Sequence, residues 1–136
     1  MSWNVALFVE GVTSLKALAG EVSTLSGLEL KCVHEDESDT YQCSVSDFTL
    51  IVREDHELEN DRDMNFEDYP YQVCLWRHNP ADRVQAQANT LEFAKILFEK
   101  FKDTGRYRLM LVEDTQKKLA SFGLTTSCRR LTPSGR

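Results

Sequence analysis

The chain has 136 residues, 41% hydrophobic and 28% charged, with a formal net charge of −6. That length suits one domain able to bury roughly two-thirds of its unfolded surface. No apolar run approaches the ~20 residues a membrane-spanning helix needs, and Met1-Ser2-Trp3-Asn4-Val5 carries no basic leader, so a cytoplasmic protein is expected.

Residues 3–9 read as a strand. Trp3, Val5, Leu7 and Val9 share one face and Ala6 and Phe8 the other, which predicts cover on both sides or a place near the middle of a sheet. Residues 13–26 read as a helix, with Leu15, Leu18, Ala19, Val22 and Leu25 at helical spacing. Thr13 or Ser14 can cap its start, and Gly27 suits its left-handed stop.

Three alternating strands follow, at 28–34, 40–45 and 47–53. Their short polar links predict antiparallel hairpins with one wet face. Residues 54–69 form a long polar connection, and 71–77 is a further strand. Trp76 lies opposite Val73 and Leu75 in its alternation, either on the open sheet face or under the C-terminal segment.

Residues 81–103 form the longest predicted helix, capped by Asn79 with Pro80 in its first turn. Its expected apolar stripe is Val84, Ala88, Leu91, Ala94, Phe98 and Phe101, widened by Leu97. A strand at 106–112 and a short helix at 114–122, capped by Asp114 and anchored by Leu119 and Phe122, complete the pattern.

The order β-α-β-β-β-β-α-β-α predicts an α+β fold: a mostly antiparallel sheet with the two main helices packed on one face. Residues 1–122 form the expected single domain and 123–136 a polar C-terminal tail.

Charge is concentrated. Residues 54–68 hold eight acids (Glu54, Asp55, Glu57, Glu59, Asp61, Asp63, Glu67, Asp68) against Arg62 alone, a net of −7. Glu35, Asp36, Glu37 and Asp39 make a second cluster. Such a surface repels phosphates, so neither nucleic acid nor a membrane is an expected partner, whereas a basic protein would be steered in. Phe66, Tyr69 and Tyr71 stand among the acids, as aromatic anchors do at recognition surfaces. The expected contact set is Asp36, Glu37, Glu57, Glu59, Asp61, Asp63, Phe66, Glu67, Asp68 and Tyr69.

Catalytic and metal motifs are missing. There is no P-loop, no G-x-G-x-x-G and no G-x-S-x-G, and six glycines leave no phosphate cradle. Asp61-Arg62-Asp63 with Glu67 is superficially like a calcium loop but lacks its turn glycine. Cys32-Val33-His34 puts two zinc-type ligands on one strand face with no further ligands placed. A non-enzyme with no cofactor and no metal is expected. The four cysteines (Cys32, Cys43, Cys74, Cys128) read as reduced in a cytosolic setting, with a cross-strand disulfide as the alternative.

Residues 71–122 carry a long helix, then Gly105-Arg106-Tyr107, an apolar strand, Glu113-Asp114 and a last short element with Gln116 and Leu119. This layout resembles the small immunity proteins of bacterial polymorphic-toxin and contact-dependent inhibition systems. The resemblance implies a single-domain acidic protein that binds one cognate toxin domain, in many cases a basic nuclease, and occludes its active or substrate-binding site. An acidic secretion chaperone for a client protein and a small-ligand sensor domain are the alternative functions. Monomer and homodimer both fit.

Overall fold

The structure, a computed structural model, describes residues 3–35, 38–54, 56, 58–77 and 83–123. Its elements are β1 (Asn4–Glu10), α1 (Leu15–Ser26), β2 (Lys31–Glu35), β3 (Ser38–Ser44), β4 (Phe48–Glu54), β5 (Tyr71–Arg77), α2 (Arg83–Thr104), β6 (Arg108–Glu113) and β7 (Lys117–Phe122). The strands form one seven-stranded sheet in the order β2-β3-β4-β5-β1-β6-β7. Each neighbouring pair is antiparallel. The fold is therefore α+β, an antiparallel sheet with the two main helices on one face, as the residue pattern predicts.

β1 lies between β5 and β6, and Val5 through Val9 are each at most 1% exposed. Val5, Leu7 and Val9 face the helices with Leu50, Val52, Val73, Leu75, Leu109 and Leu111. Leu18 and Val22 of α1, and Ala94, Leu97, Phe98 and Phe101 of α2, close that layer. Ala6 and Phe8 point the other way, into a second cluster with Cys74, Met110 and Val112. The expected double cover of this strand is thus present. The wet face predicted for the sheet is confined to its outer strands.

Local signals act where the side chains allow. Ser14 caps α1, its hydroxyl accepting from the Ala17 amide at 3.1 Å. Gly27 ends that helix with φ +78° and donates to the Ser23 carbonyl. At Gly11, φ is +113° and an added Cβ would stand 3.2 Å from the Arg106 carbonyl oxygen, so only glycine fits there without strain.

Two expectations are corrected. The segment predicted as a helix at 114–122 is a hairpin turn and β7. Asp114 and Thr115 both take positive φ, and the Gln116 amide closes the turn on the Glu113 carbonyl at 3.0 Å. Two successive left-handed residues give the twist a tight hairpin needs, so Asp114 is a turn residue and not a cap. Leu119 is an extra residue in the pairing, because Leu111 faces Ala120 while Val112 faces Lys118. That bulge brings Leu119 and Phe122, three apart, to the same helix-side cluster, which mimics helical spacing.

The stripe on α2 is also shifted. Val84 is 83% exposed and Ala88 is exposed, while Ala86 and Thr90 are buried. The Thr90 hydroxyl donates to the Ala86 carbonyl at 2.7 Å, which lets a polar residue sit inside the stripe. The expected cap at Asn79 and Pro80, and the tail from 124 onward, lie outside the described residues.

Leu7→Ala should lower the unfolding free energy by about 2–5 kcal/mol, because it empties a doubly covered strand. Val84→Ser should change it by less than ~0.5 kcal/mol. Urea denaturation followed by circular dichroism measures both, and a large loss at Val84 would contradict the shifted stripe.

Candidate functional site

The acidic stretch leaves β4 at Glu54 and re-enters the sheet at Tyr71. It is not a loose solvated loop. Asp61 and Met64 exchange two backbone hydrogen bonds of 2.9 and 2.8 Å around a turn in which Arg62 has φ +56°. The Asn60 amide donates to the Glu67 carboxylate at 3.1 Å, and the Glu67 amide donates to the Asn60 side-chain carbonyl at 2.9 Å. Phe66–Asp68 forms one turn of 3₁₀ helix.

The segment is fastened to the sheet face opposite the helices. Met64, Phe66 and Tyr69 are at most 5% exposed and insert among Ala6, Phe8, Cys74, Met110 and Val112. The Phe8 and Phe66 rings lie 5.0 Å apart. His56 stands edge-on to Phe8, with centroids 5.2 Å apart. Its Nδ1 accepts from the Leu58 amide at 3.0 Å. An amide can only donate, so Nδ1 is bare and Nε2 carries the proton it gives to the Tyr69 carbonyl at 2.7 Å. A neutral imidazole therefore ties the start of the segment to its end. Lys118 of β7 donates to the Asp63 carbonyl at 3.0 Å, and Arg108 lies over the Tyr69 ring at 5.3 Å.

This arrangement sorts the residues expected at the site. Glu59, Asp61, Asp63, Glu67 and Asp68 are all exposed, on the outside of the fastened segment. Phe66 and Tyr69 are corrected from contact residues to anchors, since their side chains are buried against the sheet. Asp36, Glu37 and Glu57 lie outside the described residues. Asp39 of the second acidic cluster is not part of this surface. It bonds His34 Nδ1 at 2.6 Å on the β2–β3 hairpin. Trp76 is half-buried against the cluster beneath the segment.

His56 and Lys118 were not legible as parts of the site. His56 follows the strand signal with no periodicity of its own, and Lys118 joins through the unforeseen β7. Away from this surface, Trp3, Gln87, Glu113, Asp114, Gln116 and Lys117 line an open cleft by the β6–β7 turn. The Trp3 indole N–H there donates to the Glu113 carboxylate at 3.1 Å. Among the described residues no helix is long and apolar enough to cross a membrane. No family model, curated protein or solved structure matches the chain.

Cys74 lies beneath the anchors, and burial pushes its thiol up to about 12, with Arg53 pulling weakly downward. Burial also raises the Tyr69 hydroxyl, against the lowering effect of Arg108. Both groups are favoured neutral in the fold. Their contribution is complete below the unfolded values, 9.0 for the thiol and 10.0 for the phenol, and is lost as pH rises above them. Stability should therefore fall from about pH 9 upward, less steeply in Cys74→Ala, when denaturation is repeated across alkaline pH.

His56→Ala should cost about 1–3 kcal/mol by leaving the Leu58 amide and Tyr69 carbonyl unpaired. Hydrogen exchange should show residues 58–69 opening more than the strands beneath. Uniform loss across the sheet would mean that His56 is not specific to the segment.

Proposed function

We propose that the chain is a binding protein of the immunity type. It neutralises a cognate toxin domain by laying the acidic 58–68 segment over a basic active-site or substrate-binding cleft. The observation that carries this reading is the division of labour within the segment. Met64, Phe66 and Tyr69 are buried, while Glu59, Asp61, Asp63, Glu67 and Asp68 are exposed.

A negative segment fixed in one shape suits a basic cleft for two reasons. Charge of one sign steers the encounter over distances comparable with the screening length, about 10 Å at 0.1 M salt. A segment already ordered by its anchors loses less conformational freedom on binding than a mobile one. The carboxylates then occupy positions in the cleft that phosphates would take. The protein performs no chemistry in this scheme, and blocking access is sufficient.

The chaperone alternative has less support. A client-binding surface needs a contiguous exposed apolar patch. The large hydrophobics exposed among the described residues are Val84 and Ile96 of α2. They lie about a third of a turn apart around the helix axis.

The test is a four-fold reversal, Glu59, Asp61, Asp63 and Asp68 to Lys, leaving Glu67 to hold the Asn60 amide. The reading expects the neighbouring gene to encode a basic toxin-type domain, and that domain is the probe, mixed with this chain and assayed for its own activity. The wild-type chain should inhibit that domain, with an association rate that falls as salt rises. The reversed chain should associate about 10–10³-fold more slowly while keeping its circular dichroism spectrum. Equal association by both chains would overturn the reading.

A further inference from the structure

The β2–β3 hairpin brings together three side chains that residue spacing alone does not unite. Cys32 and His34 are two apart on β2 and so share a face. In the antiparallel register, His34 stands opposite Asp39 and Cys32 opposite Tyr41. Tyr41 in turn pairs with Val52, a member of the helix-side core, so this group lies on the helix side of the sheet. The acidic segment covers the other side. The Cys32 thiol, a His34 ring nitrogen and an Asp39 carboxylate oxygen all lie within 4.8 Å of one another.

We propose that Cys32, His34 and Asp39 form a binding site for a divalent transition-metal ion of the zinc type, with water in the fourth position. Thiolate, imidazole and carboxylate are the three ligand types zinc takes, at about 2.3, 2.0–2.1 and 2.0–2.2 Å. Tetrahedral donors at those lengths stand roughly 3.3–3.6 Å apart. The His34–Asp39 pair, now 2.6 Å apart, would open slightly, and the Cys32 thiol already lies within 4.8 Å of both. Side-chain rotation suffices, because the His34 and Asp39 side chains are 80% and 52% exposed and Cys32 is exposed.

Nothing in the backbone has to move, since the paired strands already hold the three Cα positions. The proton balance is simple. Cys32 releases its thiol proton to solvent as the sulfur–metal bond forms. A metal taken by Nδ1 displaces the proton shared with Asp39, and the imidazole then carries its proton on Nε2. The ion sheds waters in exchange. The hard-ligand calcium and magnesium ions are disfavoured by the thiolate.

The ion would also serve the edge on which it sits. β2 is an end strand of the sheet, and a ligand set spanning β2 and β3 would cross-link it to its neighbour. This proposal does not rest on the toxin-neutralising reading, which concerns the opposite face.

Cobalt(II) is the probe, added to the reduced, untagged full chain, with zinc as competitor. One equivalent should produce a sulfur-to-cobalt charge-transfer band that zinc removes. Cys32→Ser should abolish the band, and His34→Ala and Asp39→Asn should each weaken binding at least about tenfold. Zinc should also slow alkylation of Cys32, read by peptide mass spectrometry, without slowing that of Cys43. Absence of the charge-transfer band, or its retention in Cys32→Ser, would overturn the proposal. All three substituted side chains are exposed, and circular dichroism of each variant checks that the hairpin is kept.

Discussion

Everything in this molecule depends on burying β1 from both sides. A strand with Val5, Leu7 and Val9 on one face and Ala6 and Phe8 on the other cannot leave either face in water. Two amphipathic helices cover one face, but the chain has no third helix among the described residues to cover the second. The stretch between β4 and β5 supplies that cover with irregular backbone. It does so with few apolar groups, chiefly Met64, Phe66 and Tyr69, packed in one cluster with Phe8 and Met110. Irregular cover is workable only if its polar backbone is satisfied. The Asp61–Met64 pair, the Asn60–Glu67 exchange and the His56 bridge meet that need.

The same requirement explains why the most acidic stretch of the chain is also anchored and hydrogen-bonded along its described residues. Like charges crowded into a short segment repel and, on their own, favour an open loop. Here the apolar anchors oppose that repulsion from below, while Lys118 and Arg108 supply positive charge at the margin. The carboxylates then face water, where screening makes their mutual repulsion tolerable. An acidic cover layer is thus compatible with a stable core, and its outer surface is left free for electrostatic recognition.

Much of the fold is legible in the residue pattern because periodicity is strong where burial is one- or two-sided. The 3–9 and 71–77 strands and the 13–26 helix are found nearly at their predicted limits. The failures have identifiable causes. A β-bulge at Leu119 converts a two-residue alternation into a three-residue spacing that reads as helix. Thr90 satisfies its hydroxyl inside α2, so a buried position looks polar while the exposed Val84 looks apolar. The acidic segment has no period at all, so composition marks it as unusual but cannot say which of its aromatics are inside. The grouping of His34 with Asp39 depends on hairpin register, which a one-residue change in the turn would reverse.

The burial of Phe66 and Tyr69 changes what kind of recognition the surface can perform. Exposed aromatics would contribute contact area to a partner directly. Buried ones fix where the backbone runs, and therefore where each carboxylate is held. In the proposed complex, discrimination would come from matching the spacing of fixed negative charges to a basic cleft. Residues that never touch the partner, His56 and Met64 among them, would then control affinity as strongly as those that do. A substitution beneath the segment would let the carboxylates wander, and a partner would have to order them again on binding. The sheet face that demanded cover is, on this view, also what gives the acidic surface its shape.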